Sequence, residues 1–200
     1  MGSIVAVVNL TLDGVMQAPG RADEDTRDGF TAGGWAASYA DPVQGRVIAE
    51  HMATHGGHGL LLGRRTYEDF YGFWPQQTGN PFTEVLDKTR KFVASRTLTE
   101  PLPWQNSTLL PGDAVTALRA LRAEQPDLDL VTLGSGELLR SLMRAGMIDE
   151  YLLSIHPLTI GSGTRLFDGV EPGALRLIDA VPTTTGVLMA TYRPAAEESL

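Results

Sequence analysis

Ile4 to Val8 is an unbroken apolar run with no polar alternation, the pattern of a strand covered on both faces near the centre of a sheet. Leu60-Leu61-Leu62, Lys91-Phe92-Val93-Ala94-Ser95 and Leu130-Val131-Thr132-Leu133 predict three more such strands. Between them the period becomes helical. Val43, Val47, Ile48 and Met52 share one face of a helix ended by Gly56-Gly57. Tyr67, Phe70, Tyr71 and Trp74 share a face of a second helix, with Thr66 as the expected N-cap and Asp69 three positions on. Ala114, Leu118 and Leu121 point inward from a helix over Asp113 to Glu124, and Leu138, Leu139, Leu142 and Met143 form the apolar face of another that Gly146 stops. Past Asp149 the pattern is mostly β, over 151–158, 175–181 and 187–192, with turns at Gly161-Ser162-Gly163 and Thr185-Gly186. The alternation predicts an α/β fold: a mainly parallel central sheet with helices on both faces and antiparallel C-terminal strands at one edge.

Residues 11–41 keep neither period. A stretch of that length inside a compact domain is usually functional, and Phe30, Trp35 and Tyr39 within it are costly to leave in water. They predict a lid folded over something.

The 200 residues suffice for one domain that buries about 70% of its unfolded surface. Its expected extent is residues 1–194, followed by a polar, frayed tail at 195–200. A net charge of -8 speaks against a nucleic-acid partner gripped by a basic surface. The chain has no cysteine, which excludes disulfides, thiolate metal sites and a cysteine nucleophile and suits a reducing cytoplasm. No basic region precedes the first apolar run, and no segment approaches the roughly eighteen apolar residues of a membrane span. The expectation is a soluble cytoplasmic protein without membrane contact.

Charge is unevenly spread: six basic residues face four acidic ones between Gly63 and Arg96. Two strand-to-helix turns carry glycine and small polar residues where helix amides are unpaired, an arrangement that binds phosphate. One is Gly63-Arg64-Arg65-Thr66, near which Ser95-Arg96 adds a hydroxyl and a third guanidinium. The other is Gly134-Ser135-Gly136, whose glycines allow close backbone approach. Leu139 stands where a Rossmann fingerprint requires its third glycine, and the chain lacks a P-loop and a Gly-x-Ser-x-Gly elbow. His51, His55 and His58 are near one another, but Met52 replaces the glutamate of a zinc-protease motif and Gly56-Gly57 breaks the helix, so ordinary helix-end histidines and no metal are expected. His156, in an apolar strand, reads as a hydrogen-bonded core residue. Asn106-Ser107-Thr108 matches a glycosylation sequon without secretory context.

Five segments, in order, carry a resemblance: Thr11-Leu12-Asp13-Gly14-Val15-Met16, 62–68 (Leu62 to Glu68), 93–98 (Val93 to Leu98), 134–138 (Gly134 to Leu138) and 157–167 (Pro157 to Phe167). Together they resemble the dihydrofolate reductase superfamily, in the branch related to the C-terminal reductase domain of bacterial riboflavin biosynthesis (RibD) proteins. The resemblance implies a three-layer sandwich and an NADPH-dependent reductase. It gives Gly63, Arg64, Arg65 and Thr66 the dinucleotide phosphates, and Ser95 and Arg96 the 2′-phosphate. Guanidinium chemistry agrees with that role, because arginine grips phosphate bidentately. The resemblance further sets Gly134, Ser135, Gly136, Glu137 and Leu138 against the pyrophosphate and nicotinamide, places Ala6 close to the nicotinamide, and makes Leu12 to Val15 a mobile loop closing over it.

The stretch from Asp28 to Trp35, leading to Tyr39 and Asp41, departs from the folate-binding pattern. The substrate implied is therefore another small planar heterocycle, pteridine-, pyrimidine- or flavin-like, or a conjugated carbonyl compound, stacked by Trp35 or Tyr39. Asp13 and Asp41 are the candidates for supplying the proton that accompanies hydride, since burial under an aromatic lid raises a carboxyl pKa. Their plainer roles are shaping the turn before Gly14 and capping the helix after Pro42. Two alternatives stay open: a nucleotide-binding pseudoenzyme on the same fold, and a 5-amino-6-(ribosylamino)uracil reductase of riboflavin biosynthesis. The resemblance also implies a homodimer paired through sheet edges, for which the strands at 151–158 and 187–192 are the expected elements.

Overall fold

The computed structural model describes residues 2–55 and 59–195. Its strands are β1 (Ile4–Thr11), β2 (Leu60–Gly63), β3 (Lys91–Ser95), β4 (Ser107–Pro111), β5 (Leu130–Leu133), β6 (Glu150–His156), β7 (Leu175–Pro182) and β8 (Leu188–Pro194). Its α-helices are α1 (Pro42–His55), α2 (Arg64–Phe73), α3 (Pro81–Lys88), α4 (Ala114–Glu124) and α5 (Gly136–Arg144). All eight strands form one sheet in the order β4-β3-β2-β5-β1-β6-β8-β7. The pairs from β4 through β6 are parallel, and β8 and β7 close the far side antiparallel.

The apolar run of β1 is unbroken because each of its faces meets a different core. Ile4, Ala6, Val8 and Leu10 pack with Leu118 and Leu121 of α4 and with Leu138, Leu139 and Leu142 of α5. Val5 and Val7 point the other way, to a core shared with Val47, Ile48 and Met52 of α1, Tyr67 of α2 and Leu86 of α3. β1 is the wall between the two, flanked on both sides by parallel strands. Each leucine fully withdrawn from water there contributes about 1.5–3 kcal/mol.

Four features differ from the sequence reading. α3 and β4 were not apparent. Asn80 caps α3 by accepting from the Phe82 amide at 3.0 Å. α2 begins at Arg64 with Gly63, not Thr66, at the cap position, and no side chain caps it. The open sheet edges are β4 and β7, so β6 and β8, proposed above as pairing strands, are interior. β7 is exposed along nearly its whole length, with Leu177 at 51% and Ile178 at 39%.

Residues 11–41 are docked against the body, with short 3-10 turns at Arg27–Gly29 and Ala37–Tyr39. Val15, Ala18, Phe30 and Trp35 form a third small core with Leu158 and Ile160. The Met16 amide donates to the Thr164 carbonyl and the Gln17 side chain accepts from the Thr164 amide, both at 2.9 Å. The aromatic residues that predicted a lid are what hold this segment down. His58 and the tail at 196–200 lie outside the described residues, and among the described residues no helix is long and apolar enough to cross a membrane and no acid or histidine cluster could hold a metal.

Candidate active site

β3, β2 and β5 are neighbours, so the turns that follow them meet at one end of the sheet. In a sheet of this kind the carboxyl ends of the strands are where ligands bind. A cleft of about 1700 Å³ opens there, lined by Gly63 to Thr66, Ala94 to Thr97, Gly112 to Ala114 and Leu133 to Leu138. Single drug-sized ligand sites span roughly 300–1,000 Å³, which leaves room here for a dinucleotide and a second ring.

The turns are built by local backbone necessity. Gly134 and Ser135 both adopt left-handed φ, +63° and +61°, and this re-aims the chain so that α5 starts at Gly136. A side chain at Gly136 would bring a Cβ within 2.8 Å of the Met16 sulfur, so glycine lets the docked segment reach the helix start. The Gly63 amide donates to Ser135 Oγ at 3.0 Å and ties the two turns together. Ser95 is buried, and its Oγ accepts from the amides of Thr97 and Leu98, leaving its own hydrogen for an acceptor in the cleft.

Each expected phosphate guanidinium already faces a carboxylate. Arg64 pairs with Glu68 at 2.8 Å, Arg65 with Glu137 at 3.0 Å and Arg96 with Asp113 at 3.4 Å. Arg27 from the docked segment also reaches toward Glu137, 3.9 Å away. The donors fit an anionic dinucleotide: the uncapped start of α2, the start of α5, Ser95 and three guanidiniums whose partners lie at the solvent edge. An arriving phosphate exchanges one anion for another.

The structure gathers every expected cofactor residue on the cleft except Ala6. Ala6 is fully buried in β1 beside Thr132 and Tyr151, on the α4/α5 side, whereas Val7, Val8 and Asn9 line the cleft.

Trp35, Tyr39, Asp13 and Asp41 do not line it. Trp35 is only 8% exposed, donates its indole N–H to the Gln17 carbonyl at 2.7 Å and stands edge-on to His156 at 5.1 Å. Tyr39 meets the same imidazole edge-on at 5.6 Å. His156 is the core histidine anticipated: Nδ1 lies 3.2 Å from the Leu10 carbonyl and 3.0 Å from that of Ser154, and burial lowers its pKa. Stacking of a substrate on Trp35 or Tyr39 gives way to packing on His156.

The two aspartates take their plainer roles. Asp13 accepts from the Thr11 hydroxyl and from the amides of Ile160 and Gly161, and the Thr11 and Gly161 bonds hold its pKa down to about 2. Asp41 accepts from the Val43 amide at the start of α1 and from the hydroxyl and amide of Thr184, the hydroxyl chiefly lowering its pKa. Carboxylates held ionised in this way are poor proton donors.

Among the acids on the cleft wall is Glu24, which the sequence did not single out. Its Oε2 accepts from the Gly20 amide at 2.7 Å and the Arg21 amide at 3.1 Å, and burial, outweighing those bonds, raises its pKa. Asp69 of α2 also lines the cleft, paired with Arg21, whose guanidinium covers the Phe73 ring at 4.4 Å. Ile48, Ala49 and Met52 of α1 and Phe70 of α2 add an apolar wall.

A family model described as the RibD C-terminal domain matches residues 3–189. The uncharacterized protein YyaP of Bacillus subtilis (strain 168) is 27% identical over 139 residues, spanning 66% of this chain and 72% of that protein. A structure described as a riboflavin biosynthesis protein of Shewanella sp. PV-4 superposes with a TM-score of 0.65 at 19% identity, covering 97% of this chain and 99% of that one. Dihydrofolate reductase from Enterococcus faecalis, complexed with NADP(H) and RAB-propyl, gives a TM-score of 0.59 at 14% identity, with 98% of each chain covered. These likenesses show the dihydrofolate reductase-like fold.

Proposed function

The chain belongs to the RibD C-terminal domain family, and from that premise we propose that it is an NADPH-dependent reductase of a small planar heterocycle, pteridine-, pyrimidine- or flavin-like, or of a conjugated carbonyl compound. The observation that carries this reading is the meeting of the Gly63, Ser95 and Gly134 turns on one cleft at the carboxyl ends of β2, β3 and β5.

In this reading the amides at the starts of α2 and α5, with Arg64, Arg65 and Thr66, hold the phosphates, and Ser95 and Arg96 hold the 2′-phosphate. When bound, the reduced dinucleotide supplies a hydride. The apolar wall of Ile48, Ala49, Met52 and Phe70 orients a flat ring and excludes water, which strengthens the electrostatics of the site. Glu24 holds a proton at Oε1, the oxygen its backbone bonds leave free, and delivers it to the heteroatom beside the reduced carbon.

The proposed setting is the cytoplasm, and the proposed protein partner is a second copy of the chain, joined through β7, where an open edge and exposed apolar side chains coincide. Isothermal titration with NADPH and NADH, followed by NADPH oxidation over a panel of pteridines, aminopyrimidines, flavins and enones, tests the function. Micromolar, salt-sensitive binding and turnover of a panel member are expected. Absence of binding by either dinucleotide sinks the reading.

A further inference from the structure

The carboxylate partners of Arg64, Arg65 and Arg96 are not equivalent. Glu68 and Glu137 are long side chains, 46% and 73% exposed, each able to rotate into solvent when a phosphate takes its arginine. Asp113 is tethered. Its Oδ1 accepts from both the amide and the hydroxyl of Thr116 at 3.0 Å and so caps α4, while Oδ2 faces Arg96 at 3.4 Å. A capping carboxylate cannot leave without opening the first turn of its helix. Asp113 and Arg96 both line the cleft, beside Ser95, whose hydroxyl hydrogen is unspent.

We propose that Asp113 is a specificity-determining residue that restrains the preference for the 2′-phosphorylated dinucleotide, because it binds Arg96 in the free protein and keeps a negative charge beside the phosphate once that phosphate arrives. A dinucleotide with a bare 2′-hydroxyl does not meet this opposition. The chain thereby tolerates NADH more than its Ser-Arg pair alone would allow. The inference rests on the reading of Ser95 and Arg96 as the 2′-phosphate contacts.

The size of the effect follows from the exposure of the pair. An ion pair at the surface is worth a few tenths to about 1 kcal/mol, or up to about fivefold in affinity.

Equilibrium titration of NADPH and NADH into the wild-type protein, Asp113→Asn, Arg96→Ala and the double variant separates the possibilities. Asparagine caps a helix about as well as aspartate, so the helix start is retained, and Asp113→Ser supplies a second uncharged cap should asparagine disturb the turn. The expected result is an NADPH-to-NADH affinity ratio about threefold to fivefold higher in Asp113→Asn, through tighter NADPH alone, with a smaller gain when Arg96 is already alanine. An unchanged ratio in both capping variants, with the wild type still preferring NADPH, overturns the role of Asp113 and leaves the reductase reading intact. Equal weakening of both dinucleotides by Arg96→Ala removes the 2′-phosphate assignment and this inference with it. A wild type that binds neither dinucleotide ends both.

Discussion

The amide of Gly63, at the end of β2, donates to the hydroxyl of Ser135, at the end of β5, across a gap of 72 residues in sequence. This bond joins the glycine turns that follow two neighbouring strands. Ser135→Ala removes it and leaves the Gly63 amide unpaired, at a cost of about 1 kcal/mol. The expected outcome is a small fall in melting temperature with a several-fold loss of affinity for both NADPH and NADH alike. Calorimetry beside titration checks it, and an affinity loss confined to NADPH contradicts a shared pyrophosphate role for the two turns.

Trp35 was expected to stack a substrate and instead props up the docked segment. Trp35→Phe keeps most of the packing but strips the Gln17 carbonyl of its indole donor, for a loss of about 1–2 kcal/mol. Trp35→Ala loses about 3–5 kcal/mol. Denaturant melts should register both losses, while KM for any substrate found stays near the wild-type value in Trp35→Phe. A large KM change without a stability change would return Trp35 to the substrate site.

Glu24 is expected to work in its protonated form, so turnover falls as pH rises through its elevated pKa. In Glu24→Gln that limb of the pH profile disappears and the rate drops about 10²-fold or more, with NADPH affinity unchanged. A pH-rate profile on the best panel substrate decides the matter: an unaltered limb in the variant assigns the proton to another group.

Asp13 ties the turn after β1 to residues 160–161, and its pKa is lowered from 3.8 to about 2. A carboxyl depressed in the folded state adds stability that is complete above its unfolded pKa and is lost as pH falls toward the folded one. The window is therefore about pH 4 down to 2. Stability measured across it should fall more steeply for the wild type than for Asp13→Asn; parallel curves would show that the carboxylate carries none of the acid sensitivity.

Buried strands were the most legible part of the sequence. β2, β3 and β5 are largely buried and mostly apolar, and no turn chemistry competes with that signal. β4 was hidden because it is an edge: of Ser107 to Pro111 only Leu110 is buried, so its pattern mixes with that of a loop. The turns on the cleft were visible as short glycine-containing segments after strands. The carboxylate opposite Arg65 was not, because Glu137 lies 72 residues away and only the sheet order brings the two together. Asp13 and Asp41 show the converse difficulty. A turn-forming aspartate and a proton-donating one look alike in sequence, and the difference lies in partners at 160–161 and 184. Glu24 sits among acids in a loop-like stretch, and only the fold shows which of them is desolvated on the cleft wall.

The wall formed by β1 also sets a schedule for folding. Ile4 finds its neighbour at Leu130, and Val5 its other neighbour at Glu150. During synthesis at about 5–20 residues per second, β1 leaves the ribosome before its neighbours and waits roughly 7–30 seconds for both flanks to exist. Until then neither of the two cores is complete, since each also takes residues from β6, Tyr151 and Leu153 on one side and Leu152 on the other. Nascent chains halted short of Glu150 keep one long side of that strand bare, a template for aggregation until the residues of β6 have been made.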